Sequence, residues 1–278
     1  MNKRILTLLI VTTVLLSNFN STIAQDKDSI KKAKELFKER GNKDKLEGAI
    51  KKMQDMLGRD TIQAIAVLIS HSYYLMGEYE TDKKKKLATY EKGIKYGEIA
   101  LGKIPAFAKA RKANKKEADA LPSLTKENIE ALYWTAANIA KFAKFNSFAK
   151  KVSLKSRVRS LWDRVYELDP NYNYGGGYRF FGGYFALVPA ITGDQDPVKA
   201  KEMFDKCIAV APEYLDTKVL CAEAYCTHQQ ILDRELFKKL LKEVLEADIN
   251  AYPEIKVENN IAKQKAKRLL EQEEELFE

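Results

Sequence analysis

From about Ser29 onward, apolar residues recur at intervals of three and four, the spacing that gathers them on one face of an α-helix. Ser29 to Arg40 turns Ile30, Ala33, Leu36 and Phe37 inward and breaks at Gly41-Asn42. Lys45 to Leu57 follows, with Leu46, Ala49, Ile50, Met53 and Leu57 in phase, and so short a connection makes the two an antiparallel hairpin. Thr61 to Tyr79 carries two stripes: Ile62, Ile65, Ala66, Ile69, Tyr73 and Met76 on one side, Leu68, Leu75 and Tyr79 on another. Asp82 opens Lys83 to Ile104, with Leu87, Tyr90, Ile94, Leu101 and Ile104 inward. The pattern then lapses. Pro105 to Leu124 is basic, poor in large apolar residues and ends in Leu121-Pro122-Ser123; it reads as a loop with room for a short helix, and connections of this length are usually functional or mobile.

Periodicity returns at Thr125. Ile129, Leu132, Tyr133, Ala136, Ala140 and Ala143 share one face, and Trp134, Asn138, Phe142 and Phe145 share another. The partner segment, Lys155 to Leu168, is plainly amphipathic and stops at Asp169-Pro170. Three consecutive glycines, Gly175 to Gly177, then suit a tight entry with positive φ into an aromatic helix. Helical phase sets Tyr178, Phe181, Phe185 and Val188 on one side of it, and Phe180, Tyr184 and Leu187 on another. A helix apolar on two sides must bury both, one against the core and one against a neighbour, a cavity or a partner. Between them runs a slim stripe of Arg179, Gly183 and Ala186, where a second backbone could approach. Arg179, if buried, needs a carboxylate or a carbonyl.

Asp196-Pro197 starts the next helix, which runs to Ala211-Pro212. Leu215 to Gln229 and Asp233 to Ala247 form another pair, and Glu258 to Phe277 ends the chain as a cap with a polar outer side. The endings Leu168-Asp169-Pro170 and Val210-Ala211-Pro212 lie 42 positions apart, and Leu245 to Asp248 follows about 36 later. Helix pairs at this spacing imply a tetratricopeptide-like array, an all-α solenoid of antiparallel pairs, whose ideal period is about 34 residues.

Composition adds a compartment. Lys3 and Arg4 precede an apolar run from Ile5 to Leu16, and Thr22-Ile23-Ala24 offers a cleavage point, so residues 1–24 read as a signal peptide and 25–278 as one exported helical-repeat domain, periplasmic or otherwise extracytoplasmic. No cysteine stands near that point to carry a lipid. The net charge of +9 is spread over helix faces; export argues against nucleic acid and leaves acidic surfaces or anionic lipid as partners. Cys221 and Cys226, five apart on one helix, should point in different directions and not pair with each other, while Cys207 could meet either across a helix pair or simply serve as a small buried hydrophobe.

Catalytic and cofactor chemistry finds no support in these residues. The glycines are followed by no lysine with serine or threonine, His71 and His228 lack a second ligand one turn on, and neither histidine belongs to a nucleophile motif. The expectation is a non-enzyme with no metal and no cofactor.

Several stretches in fixed order carry a closer resemblance: Ala131-Leu132-Tyr133-Trp134, Gly175-Gly176-Gly177-Tyr178-Arg179 with Gly182, Ala209 to Tyr214, Leu220 to Tyr225, and Ala262 to Leu270. Together they resemble the TRAP transporter T-component (TatT) family, strongly over about Leu121 to Leu270 and weakly in the first helices. The resemblance implies an exported tetratricopeptide-like protein that associates with the periplasmic solute-binding protein of a tripartite ATP-independent transporter. It also implies a trimer with a ligand-sized cavity or pore in each subunit. Many relatives are lipoproteins, whereas this chain lacks the required cysteine, and proline usually follows the glycines where Tyr178 stands here.

These readings converge on a candidate cleft. Trp134, Asn138 and Phe142 on one ring-bearing helix, with Tyr174, Tyr178, Phe181 and Tyr184 on the other, could wall an apolar site with few polar anchors. Arg179 would anchor a carboxylate, the kind of substrate such transporters carry. The competing account makes the rings ordinary packing and pairs Arg179 with an internal acid. The functional expectation is an accessory component that grips a solute-binding protein and a small apolar or carboxylate ligand; the alternative is a general tetratricopeptide scaffold for protein–protein interaction in the bacterial envelope.

Overall fold

The computed structural model describes residues 27–59, 62–114 and 116–278, so the expected leader, residues 1–24, lies outside the described residues. Every regular element among them is helical. A first helix, α1 (27–37), ends in a 3-10 turn at Lys38–Gly41. It is followed by α2 (Lys43–Arg59), α3 (Gln63–Tyr79) and α4 (Lys83–Gly102), the last capped by Asp82, whose carboxylate accepts from the Lys85 amide at 2.8 Å.

The basic connection is mostly helical. Pro105, suited to a first helical turn, opens α5 (Pro105–Ala113), and a 3-10 turn at Ala118–Ser123 completes it. Phe107, Leu121 and Leu124 anchor the segment in the core, which accounts for its order despite its charge. Next come α6 (Ile129–Phe145) and α7 (Phe148–Leu168). The latter starts seven residues before the expected Lys155, because Ser147 caps it: its hydroxyl accepts from the Lys150 amide. After α8 (Tyr172–Leu187) and α9 (Pro197–Val210), a short α10 (Asp216–Cys221) widens into a π turn at Ala222–Cys226, and α11 (Arg234–Glu246), α12 (Lys256–Glu271) and α13 (Glu273–Phe277) close the chain.

Successive helices pack as antiparallel pairs, with α3 on α4, α8 on α9 and α11 on α12. Beyond these, α6 lies against both α4 and α7. One apolar core joins α2 to α8; a second lies between α9, α10, α11 and α12, with Phe185 touching both. The seam between α4 and α6 is unusually close. A Cβ on Gly93 would stand 2.1 Å from Asn138 Oδ1, and one on Gly97 would stand 2.4 Å from Thr135 Oγ1.

Entry into α8 differs from the expected glycine turn. Asn173, Tyr174 and Gly175 form one left-handed turn, with φ of 51°, 58° and 71°, while Gly176 and Gly177 are right-handed. Left-handed backbone costs a residue with a Cβ about 1–2 kcal/mol, so two such residues need support from outside the turn. Gly176 serves space instead: a Cβ there would meet the Tyr133 ring at 2.5 Å.

The three cysteines are free and buried. Cys207 Sγ lies 3.2 Å from the Gly175 carbonyl, to which it donates, and 3.3 Å from Thr217 Oγ1. Contrary to the expectation from helical spacing, the wider π turn brings Cys226 to Cys221, and their hydrogen bond together with burial pushes the Cys221 thiol up.

Candidate functional site

A cavity of about 300 Å³ lies between α6, α7, α8 and α10. Its α6 wall is made of Tyr133, Ala137, Ala140 and Ala143 with Lys141 and Lys144; Val158 and Trp162 come from α7, and Phe180, Gly183, Tyr184 and Leu187 from α8. Phe180 stacks flat on Trp162 at 4.2 Å, forming an apolar side wall. The deep end holds Tyr133, Trp162 and Arg179, all buried, while Leu187, 43% exposed, and half-buried Lys151 mark the mouth.

Room exists where the side chains are small. Ala137, Ala140 and Gly183 leave the volume that the large residues of neighbouring turns would fill. On α6 the cavity therefore meets the alanine face. The ring-bearing face looks the other way, with Trp134 stacked on His71 at 3.4 Å and Asn138 donating to the Ser70 carbonyl at 3.0 Å. Phe142, half-buried, does not line the cavity either. On α8 the stripe of Phe180, Tyr184 and Leu187 faces it; Tyr178 and Phe181 instead pack edge-on against Tyr166. Of the residues expected to wall a cleft, Arg179 and Tyr184 are brought together at this cavity, and Tyr174 lies behind Arg179, stacked on Tyr214.

Arg179 solves the problem of the left-handed turn. Its guanidinium donates to the Tyr174 carbonyl at 2.9 Å, the Asn173 carbonyl at 3.1 Å and Tyr133 Oη at 3.0 Å, and lies 4.3 Å from the Tyr214 ring centre. Its partners are carbonyls, a hydroxyl and a ring; no acid pairs with it among the described residues. Burial works against the charge, but Tyr133, Tyr214, Cys207 and Asp216 outweigh it and hold the group above the ordinary arginine range.

Behind the cavity sits an ion cluster that sequence spacing could not reveal. Glu78 of α3 contacts Lys141 at 2.8 Å and Lys265 of α12, and Tyr90 donates to it at 2.5 Å. Lys265 also reaches Asp216 at 2.8 Å. Burial alone would raise the Glu78 carboxyl, yet Lys141 and Lys265 hold it well below the usual range; Asp216 is lowered in the same way, burial being outweighed by the same two lysines. The cluster thus ties the helices before the cavity to those after it. At the mouth, Lys155 pairs with Asp194 at 2.9 Å, and Tyr184 donates to that carboxylate at 2.5 Å.

Among the described residues, no group of three or more histidine, cysteine or acidic side chains could hold a metal ion, and no helix is long and apolar enough to cross a membrane. His71 is a packed histidine whose pKa burial, and then Arg40, drives well down. Sequence reasoning missed Lys151, Lys141 and Tyr74 as cavity residues. For Lys151 a signal existed in Ser147, whose cap extends α7 across Phe148 to Leu154.

Fold and site together define an all-helical protein of stacked pairs that keeps a small, mainly apolar cavity between its central helices. The chain belongs to the TRAP transporter T-component family, whose sequence profile matches residues 70–277, a span that takes in every residue lining the cavity. No curated protein matches the chain in sequence.

Proposed function

We propose that this chain is a non-catalytic, extracytoplasmic accessory component of a TRAP-type solute transport system. In this reading it grips the periplasmic solute-binding protein, assembles as a homo-oligomer of three copies, and holds a small apolar or carboxylate ligand in the cavity between α6, α7 and α8. The observation that carries it is the family match over residues 70–277, and the cavity within that span supplies the ligand part. A volume of about 300 Å³ lies at the low end of small-molecule sites, which are mostly apolar with a few polar groups.

Affinity capture from envelope extract, followed by native mass spectrometry of the purified protein, tests the three parts separately. The reading expects a solute-binding protein among the captured species, a mass three times that of the chain, and a retained small molecule. Recovery of extended peptides from many envelope proteins, with no solute-binding protein, would point to the general scaffold instead.

A further inference from the structure

The charges around the cavity are not equally available. Lys141 is neutralised by Glu78, Lys144 by Glu223 at 2.8 Å, Lys155 by Asp194, and Asp216 by Lys265. Arg179 has no acid, and three of its five N–H donors go to the Asn173 and Tyr174 carbonyls and to Tyr133. Lys151 is the remaining cation of the lining. Its ammonium has no hydrogen-bond or ion-pair partner among the described residues, and it stands at the mouth, on the first turn of α7. The interior behind it is walled by Ala137, Ala140, Val158, Trp162, Phe180 and Leu220.

From this arrangement we infer that the cavity takes an amphipathic monoanion tail first, with its acid group held at the mouth by Lys151 rather than at the floor by Arg179. The inference rests on the ligand part of the function proposed above and adds the ligand's class, its orientation and the residue that selects it. Three physical points support it. An apolar tail gains about 25 cal/mol for each Å² it withdraws from water, which favours the dry inner end. A carboxylate at the floor would give up its hydration in a buried site and share the Arg179 guanidinium with the Asn173 and Tyr174 carbonyls that it holds in a left-handed turn. At the mouth the same carboxylate keeps part of its hydration and gains a free ammonium at no such cost. At the packing density of protein interiors, 300 Å³ accommodates about ten non-hydrogen atoms, the size of a medium-chain acid.

Isothermal titration of the full-length mature protein with octanoate, 1-octanol and octylammonium tests this, alongside Lys151→Met and the exposed neighbour Lys150→Met. The expected result is octanoate binding roughly tenfold tighter than octanol, the scale of one partly desolvated charge pair, with octylammonium weakest. Added salt should reduce the preference. Lys151→Met should erase it by weakening octanoate alone, while Lys150→Met leaves it intact. Equal affinity for octanoate and octanol in the unaltered protein, or a preference that survives Lys151→Met, overturns the inference and leaves the cavity reading standing. Failure of all three probes to bind overturns both, and the partner-capture experiment then decides the accessory role on its own.

Discussion

Helices α6 and α8 carry the same kind of sequence, rings on one side and small residues on another, yet the tertiary structure uses them in opposite ways. On α6 the ring face is spent on packing: Trp134 meets His71 and Tyr74, Phe145 stacks on Tyr90, and Gly93 and Gly97 let α4 close over Asn138 and Thr135. Its alanine face is what remains open. On α8 a ring-bearing stripe is left open, Phe180, Tyr184 and Leu187 facing the cavity, while the small residue Gly183 leaves room for Leu220, which a Cβ there would meet at 3.2 Å. The lesson concerns volume. Aromatic side chains bury area wherever they find partners, and a cavity persists where no side chain is long enough to cross it.

The comparison can be broken most severely at the α4–α6 seam. Gly93→Ala should cost about 3 kcal/mol or more, because Asn138 is fixed by Ser70 and cannot retreat. The matching change on α8, Gly183→Ala, meets only the flexible end of Leu220 and should stay within about 1 kcal/mol. Urea denaturation of the pair measures the contrast directly, and equal losses would contradict the account of the two faces. Next in size, Arg179→Met should cost about 3 kcal/mol by stranding the Asn173 and Tyr174 carbonyls. Arg179→Lys should recover only part, since one ammonium cannot reproduce the guanidinium fork.

The ion cluster behind the α6 wall gives a pH test. Glu78 and Asp216 have folded-state pKa values below their ordinary ones, so their contribution is fully present above the usual carboxylate range, near pH 4, and is lost as pH falls through the lowered values. Glu78→Gln should lower stability by about 2–3 kcal/mol at neutral pH and flatten the acid limb of stability against pH. An unchanged acid limb would show that the cluster does not carry that dependence. Ala140→Leu stands at the small end: within about 1 kcal/mol in stability, because the added side chain enters space already there, but with clear loss of octanoate uptake by titration.

Much of this architecture was legible beforehand. The period of three and four gave the helices, Asp82 and Asp196 gave their starts, and Pro197 with Asp196 fixed α9 to the residue. Ordered motifs from Ala131 to Leu270 carried the family, and the profile match from 70 to 277 supports that resemblance. The lining of the cavity was only half visible. Phase along α8 separated Phe180, Tyr184 and Leu187 from Phe181, but phase cannot say which stripe finds a neighbour. Arg179 was recognised as a charge in need of a carboxylate or a carbonyl; that it finds the carbonyls of Asn173 and Tyr174, turned toward it by positive φ, and no acid among the described residues depends on backbone angles that no periodicity encodes.

Local rules acting within one or two turns therefore determined where helices begin, which faces are apolar and where the chain reverses, since hydrogen bonding and side-chain direction along a helix are set by neighbours in sequence. Only the assembled structure decided which apolar face is filled and which is left open, how Glu78, Lys141, Asp216 and Lys265 from four different helices come to neutralise one another, and why Lys151 is left over. Those outcomes depend on contacts between residues far apart in the chain, where packing volume and long-range charge balance, and not local propensity, set the free energy.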